Sequence, residues 1–304
     1  MIAGFEGHTG YNCMGNMTHT DTLTPQSFYA QQGQISDPGE FAQRLDGLPR
    51  DVPGLIQTVE GVMLHLHWAK RYGITLNQTR EAEANLRTVK DRLAKIIQLQ
   101  GAPLTEPRPL DKKTVGTCRD FSLLMATFLR HQGVPARARA GFGTYFFPGR
   151  YEDHWVCEYW HAEDQRWVMV DAQLDVLQCD ALGIDFNPQD MPKDKFVSGG
   201  QAWQLCETNA ADPQHFGIFD MHGLDFIKGN VIRDFLALNK IELLPWDDFK
   251  LIDVGFRHMT PAQKALIECL TPISSGEDRD FVLLRAAFHT QKTHSLPDYF
   301  FTAD

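Results

Sequence analysis

Apolar positions fall at helical spacing through the first third of the chain. From Asp37-Pro38 onward Phe41, Leu45 and Leu48 share one side, and a Pro-Gly break then leads into a second apolar stretch, Leu55 to Trp68. The clearest periodicity lies in TREAEANLRTVKDRLAKIIQLQG. There Ala82, Leu86, Val89, Leu93, Ile96 and Ile97 recur at steps of three and four. This predicts one helix, N-capped by Thr79 and ended by Gly101 with Pro103. The first 35 or so residues, rich in Thr, Gly, Asn and Gln, read as an irregular lead-in with a helix starting at Pro25.

A Pro-rich linker, APLTEPRPL, separates this part from another helix whose apolar face is Phe121, Leu124, Met125, Phe128 and Leu129. Gly133 and Pro135 close it, and Cys118 sits in its first turn. The period then changes. ARARAGF, HWVCEYW and RWVMVDA are short runs rich in β-branched and aromatic residues, separated by Pro148-Gly149 and by Glu163-Asp164-Gln165. That pattern predicts three antiparallel strands. Beyond about residue 176 helical stretches are expected near Asn230 to Leu238, after Thr260-Pro261, and from about Asp278 to His289.

Composition narrows the function classes. At 43% hydrophobic and 22% charged residues the chain reads as a globular protein able to bury a core. Its 39 acidic and 29 basic side chains give a net charge of −10, a field that repels a phosphate backbone, so no nucleic-acid partner is expected. Neither a membrane span nor a secretory leader is read from the sequence, which makes the cytoplasm the expected compartment. Six scattered cysteines without CxxC spacing fit reduced thiols better than disulfides or a structural zinc site.

Cys118 is therefore weighed as a free thiol. A helix N-terminus and an adjacent imidazolium both lower a thiol pKa, and a carboxylate best orients that imidazole. His154 opens the strand HWVCEYW, and Asp171 ends RWVMVDA. If these strands form a hairpin with its loop at 161 to 166, residues near 156 and 171 face each other, and the histidine and aspartate can touch. His161, Asp153 and Asp164 are competing choices for base and acid, and Asp175 lies just past the strand. Arg119 and Asp120 read as structural ion pairs. Arg137 and Arg139 share one face of their strand, read as a solvated edge and less readily as an anion subsite. His65 and His67 fall about 200° apart on a helix, too far round to share a metal. No DxDxDG loop is present, so no metal and no cofactor are inferred. Trp68 reads as core, or as a donor near the reacting centre.

GTCRDFSLLMATFLRHQGVPAR, followed by DHWVCEYW and RWVMVDAQLD, resembles the core of the transglutaminase-like superfamily of Cys-His-Asp enzymes in its bacterial form, over roughly residues 114 to 175. Two departures stand out: Trp155 follows His154 directly, and Ala172-Gln173 replaces the frequent proline after the aspartate. The resemblance implies an α+β, papain-like fold with a helix packed on an antiparallel sheet. It implies Cys118 as nucleophile, His154 as base and Asp171 as the residue that orients the imidazole. The expected organisation is a mainly helical part (1–110), a catalytic core (111–178) and a mixed C-terminal extension (179–304), within one compact unit. The expected function is cysteine hydrolase or acyltransferase chemistry, as a protease, amidase or transglutaminase, on a peptide, protein, acyl-amide or thioester. The rival reading is a catalytically silent binding or assembly module, with stretches such as IELLPWDDF and LPDYFF forming an interface.

Overall fold

The change of period near residue 135 marks where helices give way to a sheet. A computed structural model of the protein describes residues 23–248, 250–275 and 281–292. Most of the expected irregular lead-in, the stretch LPDYFF and the last residue of IELLPWDDF lie outside the described residues.

The N-terminal part contains α1 (Pro25–Tyr29), α2 (Val52–Val62), β1 (Met63–His65), α3 (Gln78–Glu81) and α4 (Val89–Leu99). Two expectations fail here. The apolar stretch to Trp68 leaves the helix at Val62, because Met63–His65 pairs in parallel with β2 (Thr114–Gly116), Leu64 opposite Val115. A 3-10 turn, Leu66–Tyr72, follows β1, so His65 and His67 do not share a helix.

The long helix expected from Thr79 is also broken. Asn77 rather than Thr79 caps α3, accepting from the Arg80 N–H at 3.0 Å. The chain passes through a 3-10 turn at Ala82–Asn85 and restarts as α4 beneath Thr88, whose hydroxyl accepts from the Asp91 N–H at 3.1 Å. The cause is Glu83. Its buried carboxylate accepts the Val115 N–H at 2.9 Å and pairs with Arg80 at 2.9 Å, sealing the edge of β2 in place of another strand.

Helix α5 (Cys118–His131) is buried along nearly its whole length. It packs on β3 (Ala136–Gly143) and β4 (Tyr151–His161), which with β5 (Arg166–Val170) are the three expected strands. The chain continues through α6 (Val176–Leu182), β6 (Phe196–Ser198), α7 (Gly199–Glu207), β7 (Phe216–Ile218) and β8 (Met221–His222). It ends in α8 (Leu224–Leu238), α9 (Lys250–Asp253), α10 (Pro261–Ser275) and α11 (Phe281–Lys292). The main sheet runs β6-β3-β4-β7-β8, with β5 also on β4. β3, β4 and β5 are antiparallel, as the short β-branched and aromatic runs between turns predicted, whereas β7 joins β4 in parallel. The fold is thus α+β, consistent with a papain-like, transglutaminase-like core.

One apolar cluster joins α2 and α4 to α5 and the backs of β4 and β5. A second joins α1, Phe142 and the C-terminal helices on the other face.

Arg137 and Arg139 overturn the solvated-edge reading. β3 is flanked by β6 and β4, and α8 covers its face. Both arginines are buried. Arg139 meets Asp234 of α8 through two bonds of 2.9 Å and Glu158 at 3.1 Å. Arg137 bonds Glu158 at 2.7 Å and stacks 4.0 Å over Trp167. Burial alone would raise the Glu158 carboxyl, but the two guanidinium groups pull it down to about 2. Nε, Nη1 and Nη2 of Arg139 are all engaged, and both arginines are committed to the buried Glu158 carboxylate rather than to solvent.

Candidate active site

Strand β2 delivers the chain to Cys118. Gly116 allows the close turn: a Cβ there would lie 2.6 Å from Met63 Cε and 2.8 Å from Asp120 Oδ2. Asp120 Oδ2 accepts the Thr117 N–H at 2.8 Å, and Asp120 Oδ1 takes Arg92 and Arg119 at 2.9 Å each. This buried network fixes the first turn of α5, so Arg119 and Asp120 form the structural ion pair expected of them. Cys118 is the first residue of α5, buried beside Ala138, Ala140 and Trp155. Small side chains on β3 let the helix N-terminus approach the sheet closely.

His154 is presented from within β4, three residues after the strand begins at Tyr151 rather than at its start. Its partners on the strand edge explain its access. β5 covers β4 only from Cys157 to His161, and β7 only at Tyr151 and Glu152. His154 therefore lies where that edge of β4 is open. The hairpin register, His161 opposite Arg166 through Cys157 opposite Val170, brings Asp171 to this gap just beyond β5.

The structure brings His154 and Asp171 together: Nε2 lies 2.8 Å from Oδ2. Asp171 also accepts the Tyr145 hydroxyl at 2.6 Å on Oδ2 and the Gln173 N–H at 3.0 Å on Oδ1. The imidazole is held edge-on by Tyr145 and Phe146, with ring centroids 5.9 and 4.9 Å away. Its other nitrogen, Nδ1, takes no part in that bond, and the imidazole lines the same cavity as Cys118, close enough for each group to shift the other's pKa.

The electrostatics follow from these contacts. Burial disfavours a charged imidazole, yet the Asp171 carboxylate and the Cys118 sulfur overcome it and raise His154 to about 10. Burial pushes the Cys118 thiol up, and the neighbouring His154 pulls it part of the way back down. Cys179 and Cys206 have no cation among the groups that act on them. Burial and neighbouring carboxylates push Cys179 and Cys206 up to about 11. Cys118, Cys157, Cys179 and Cys206 are free, whereas Cys269 is disulfide-bonded, which corrects the expectation of reduced thiols at that position.

The competing residues are placed elsewhere. His161 and Asp164 lie at the hairpin turn and interact with each other at 3.3 Å. Asp153 lies in β4, not before it, and accepts from Asn230 Nδ2 at 2.7 Å. Asp175 caps α6 and takes the Tyr72 hydroxyl at 2.6 Å. Cys118 and His154 open onto a cavity of about 710 Å³ whose walls also include Trp68, Phe146, Phe147, Phe219 and Trp246. Two of its residues, His65 and His67, stand with ring centroids 5.7 Å apart. Among the described residues no group of three or more His, Cys, Asp or Glu could hold a metal ion. No helix among them is long and apolar enough to cross a membrane.

Sequence reasoning missed Tyr145 and Phe146, which grip the histidine–aspartate pair. Their signal was the aromatic run TYFF ahead of the Pro148-Gly149 turn, a concentration of rings that a solvated loop does not need.

The α+β arrangement, with a thiol at a helix N-terminus and a histidine–carboxylate pair on the adjoining sheet, is consistent with a papain-like core. Within this chain, residues 71–172 match the family model of the transglutaminase-like superfamily, a group that generally works by cysteine-based catalysis. The match spans about a third of the chain and includes Cys118, His154 and Asp171. No curated protein and no solved structure gave a significant match.

Proposed function

We propose that the protein is a cysteine-dependent acyl-transfer enzyme acting on an amide or thioester through Cys118, His154 and Asp171. The observation that carries this reading is one cavity lined by both Cys118 and His154, with His154 tied to Asp171 at 2.8 Å on its far side. The Cys118 thiolate attacks the carbonyl carbon, and the displaced electron pair moves to oxygen. The backbone N–H of Cys118, at the start of α5, supports that oxyanion. Collapse expels the leaving group, which as an amine takes its proton from His154, and an acyl-enzyme remains. Water or an amine then attacks the thioester carbonyl, gives its proton to His154 and releases sulfur as thiolate. The order of these steps requires an imidazole that can hold a proton beside sulfur, which the Asp171 carboxylate favours.

The test is alkylation of the native protein with iodoacetamide at pH 8, with the modified cysteine mapped by peptide mass. Preferential modification of Cys118, lost in His154→Ala, is expected. Equal and slow modification of all accessible thiols would instead support the silent binding module.

A further inference from the structure

The described structure buries seven arginines, and six of them have carboxylate or carbonyl partners. Arg92 and Arg119 pair with Asp120, Arg130 with Glu242 at 3.6 Å, Arg137 with Glu158, and Arg139 with Asp234. Arg108 donates to backbone carbonyls, among them Ala102 O at 2.6 Å. Arg233 is the exception. Only 7% exposed, it has Nε buried without a hydrogen-bond partner, and no ion pair engages its guanidinium among the described residues. A buried, unpaired charge is costly, so a chain that pairs its other buried arginines has a reason to leave this one open.

Arg233 lines the same cavity as Cys118 and His154. It stands on α8 in a stripe with Asp225, Phe226 and Gly229, which all face that cavity. A second observation shows that room was made for it. A Cβ at Gly229 would lie 2.6 Å from Arg233 Nη1, so the guanidinium folds back over the bare glycine. A glycine in the middle of a fifteen-residue helix costs about 1 kcal/mol relative to alanine, and here it gives the guanidinium its seat.

Asp153 and Asp248 of the cavity wall, with Asp247, favour the charge on Arg233 from a distance, but none is bonded to it. Asp153 is bonded to Asn230 and Asp225 to the Phe256 N–H; Asp248 is exposed, and Glu152 is half-buried. Between the two ends run apolar walls: Phe147, Phe219 and Met221 remain more than half exposed at the rim.

We propose that Arg233 binds the carboxylate of an acyl donor whose chain lies along these apolar walls, with its reactive carbonyl at Cys118. This rests on the acyl-transfer reading above and adds the substrate class. A carboxylate is favoured over a phosphate because one planar guanidinium matches a single negative charge in two bonds. The four carboxyl groups around the cavity would repel a dianion. The anion-binding residue lies on α8, outside the segment that matches the superfamily, so the C-terminal helices set what the conserved type of core can act on.

The test uses p-nitrophenyl esters of graded chain length in pairs: mono-p-nitrophenyl succinate, glutarate and adipate against the uncharged p-nitrophenyl esters of matching length. Release of p-nitrophenolate gives the acylation rate, and peptide mass mapping locates the acyl group. At the chain length that spans sulfur to guanidinium, the carboxylate ester should acylate Cys118 at least about tenfold faster than its uncharged partner. That preference, read in each variant as the ratio of the charged to the uncharged rate, should vanish in Arg233→Gln and weaken in Gly229→Ala, which displaces the guanidinium while strengthening the helix. Arg233→Lys should retain part of it. If Cys118 is acylated but no carboxylate ester is preferred, or the preference survives in Arg233→Gln, the assignment of Arg233 is overturned and the acyl-transfer reading stands. If no ester acylates Cys118, both fall.

Discussion

Replacing Asp171 with asparagine separates the role of charge from that of shape at the histidine. In the native protein the carboxylate accepts from three donors: His154 Nε2 at 2.8 Å, the Tyr145 hydroxyl at 2.6 Å and the Gln173 N–H at 3.0 Å. An asparagine of the same shape has one accepting oxygen. If that oxygen faces His154 and Tyr145, its NH2 group confronts the Gln173 N–H; if it is flipped, the NH2 group confronts His154 and Tyr145. At least one buried donor is stranded either way, at a cost of about 1–3 kcal/mol in stability. The charge is lost as well. The imidazole that Asp171 and Cys118 raise to about 10 then feels burial without its carboxylate, and its pKa falls. Losing one charge-assisted hydrogen bond is worth roughly 1.5–3 kcal/mol, and tenfold in rate corresponds to about 1.4 kcal/mol. Iodoacetamide alkylation of Cys118 near pH 8 should therefore slow by about ten- to a hundredfold. The assay follows alkylation of the Cys118 peptide by mass spectrometry from pH 6 to 10, with urea unfolding run in parallel. An Asp171→Asn protein that alkylates at the wild-type rate, with the same pH profile, would refute this account of the histidine.

Stability should carry the same signature. A histidine with a folded pKa of about 10 and an unfolded value near 6.5 contributes stability that is fully present below about pH 6.5 and lost as pH rises towards 10. The slope in that window should approach about 1.4 kcal/mol per pH unit from this group, and urea unfolding of Asp171→Asn across the same range should show it flattened. Asp234→Asn breaks the pair that seats α8 on β3 and leaves Glu158 as the one carboxylate on Arg139; a loss of about 3–5 kcal/mol is expected from the urea midpoint. Thr88→Ala should cost about 1 kcal/mol, as loss of the α4 cap, whereas Thr79→Ala should change stability by a few tenths.

The legible parts of this fold are those whose partners lie close by in the chain. The Cys118 helix declared its face through Phe121, Leu124, Met125, Phe128 and Leu129, and the turn at 163–165 set the register of β4 against β5. That register is what put Asp171 within reach of His154. β1 was hidden because three apolar-rich residues continue a helical pattern, and only pairing with β2, some fifty residues later, selects the strand. The break at Glu83 was hidden for the same reason, since its partner is the Val115 N–H. Alternating arginines at 137 and 139 look like a wet edge until Glu158 and Asp234 arrive to pair with them. Arg233 gave no local signal at all. It reads as one charged residue on a helix, and only its placement over Gly229 in the cavity wall distinguishes it.

The account rests on sulfur, imidazole and carboxylate working as one unit. The most direct measurement is to incubate the wild type, Cys118→Ala, His154→Ala and Asp171→Asn with p-nitrophenyl butyrate and to find the acylated residue by peptide mass mapping. A butyryl group on Cys118 in the wild type, absent from Cys118→Ala and His154→Ala and strongly reduced in Asp171→Asn, is the predicted result. Acylation spread over Cys179 and Cys206, or undiminished on Cys118 when His154 is removed, would contradict it.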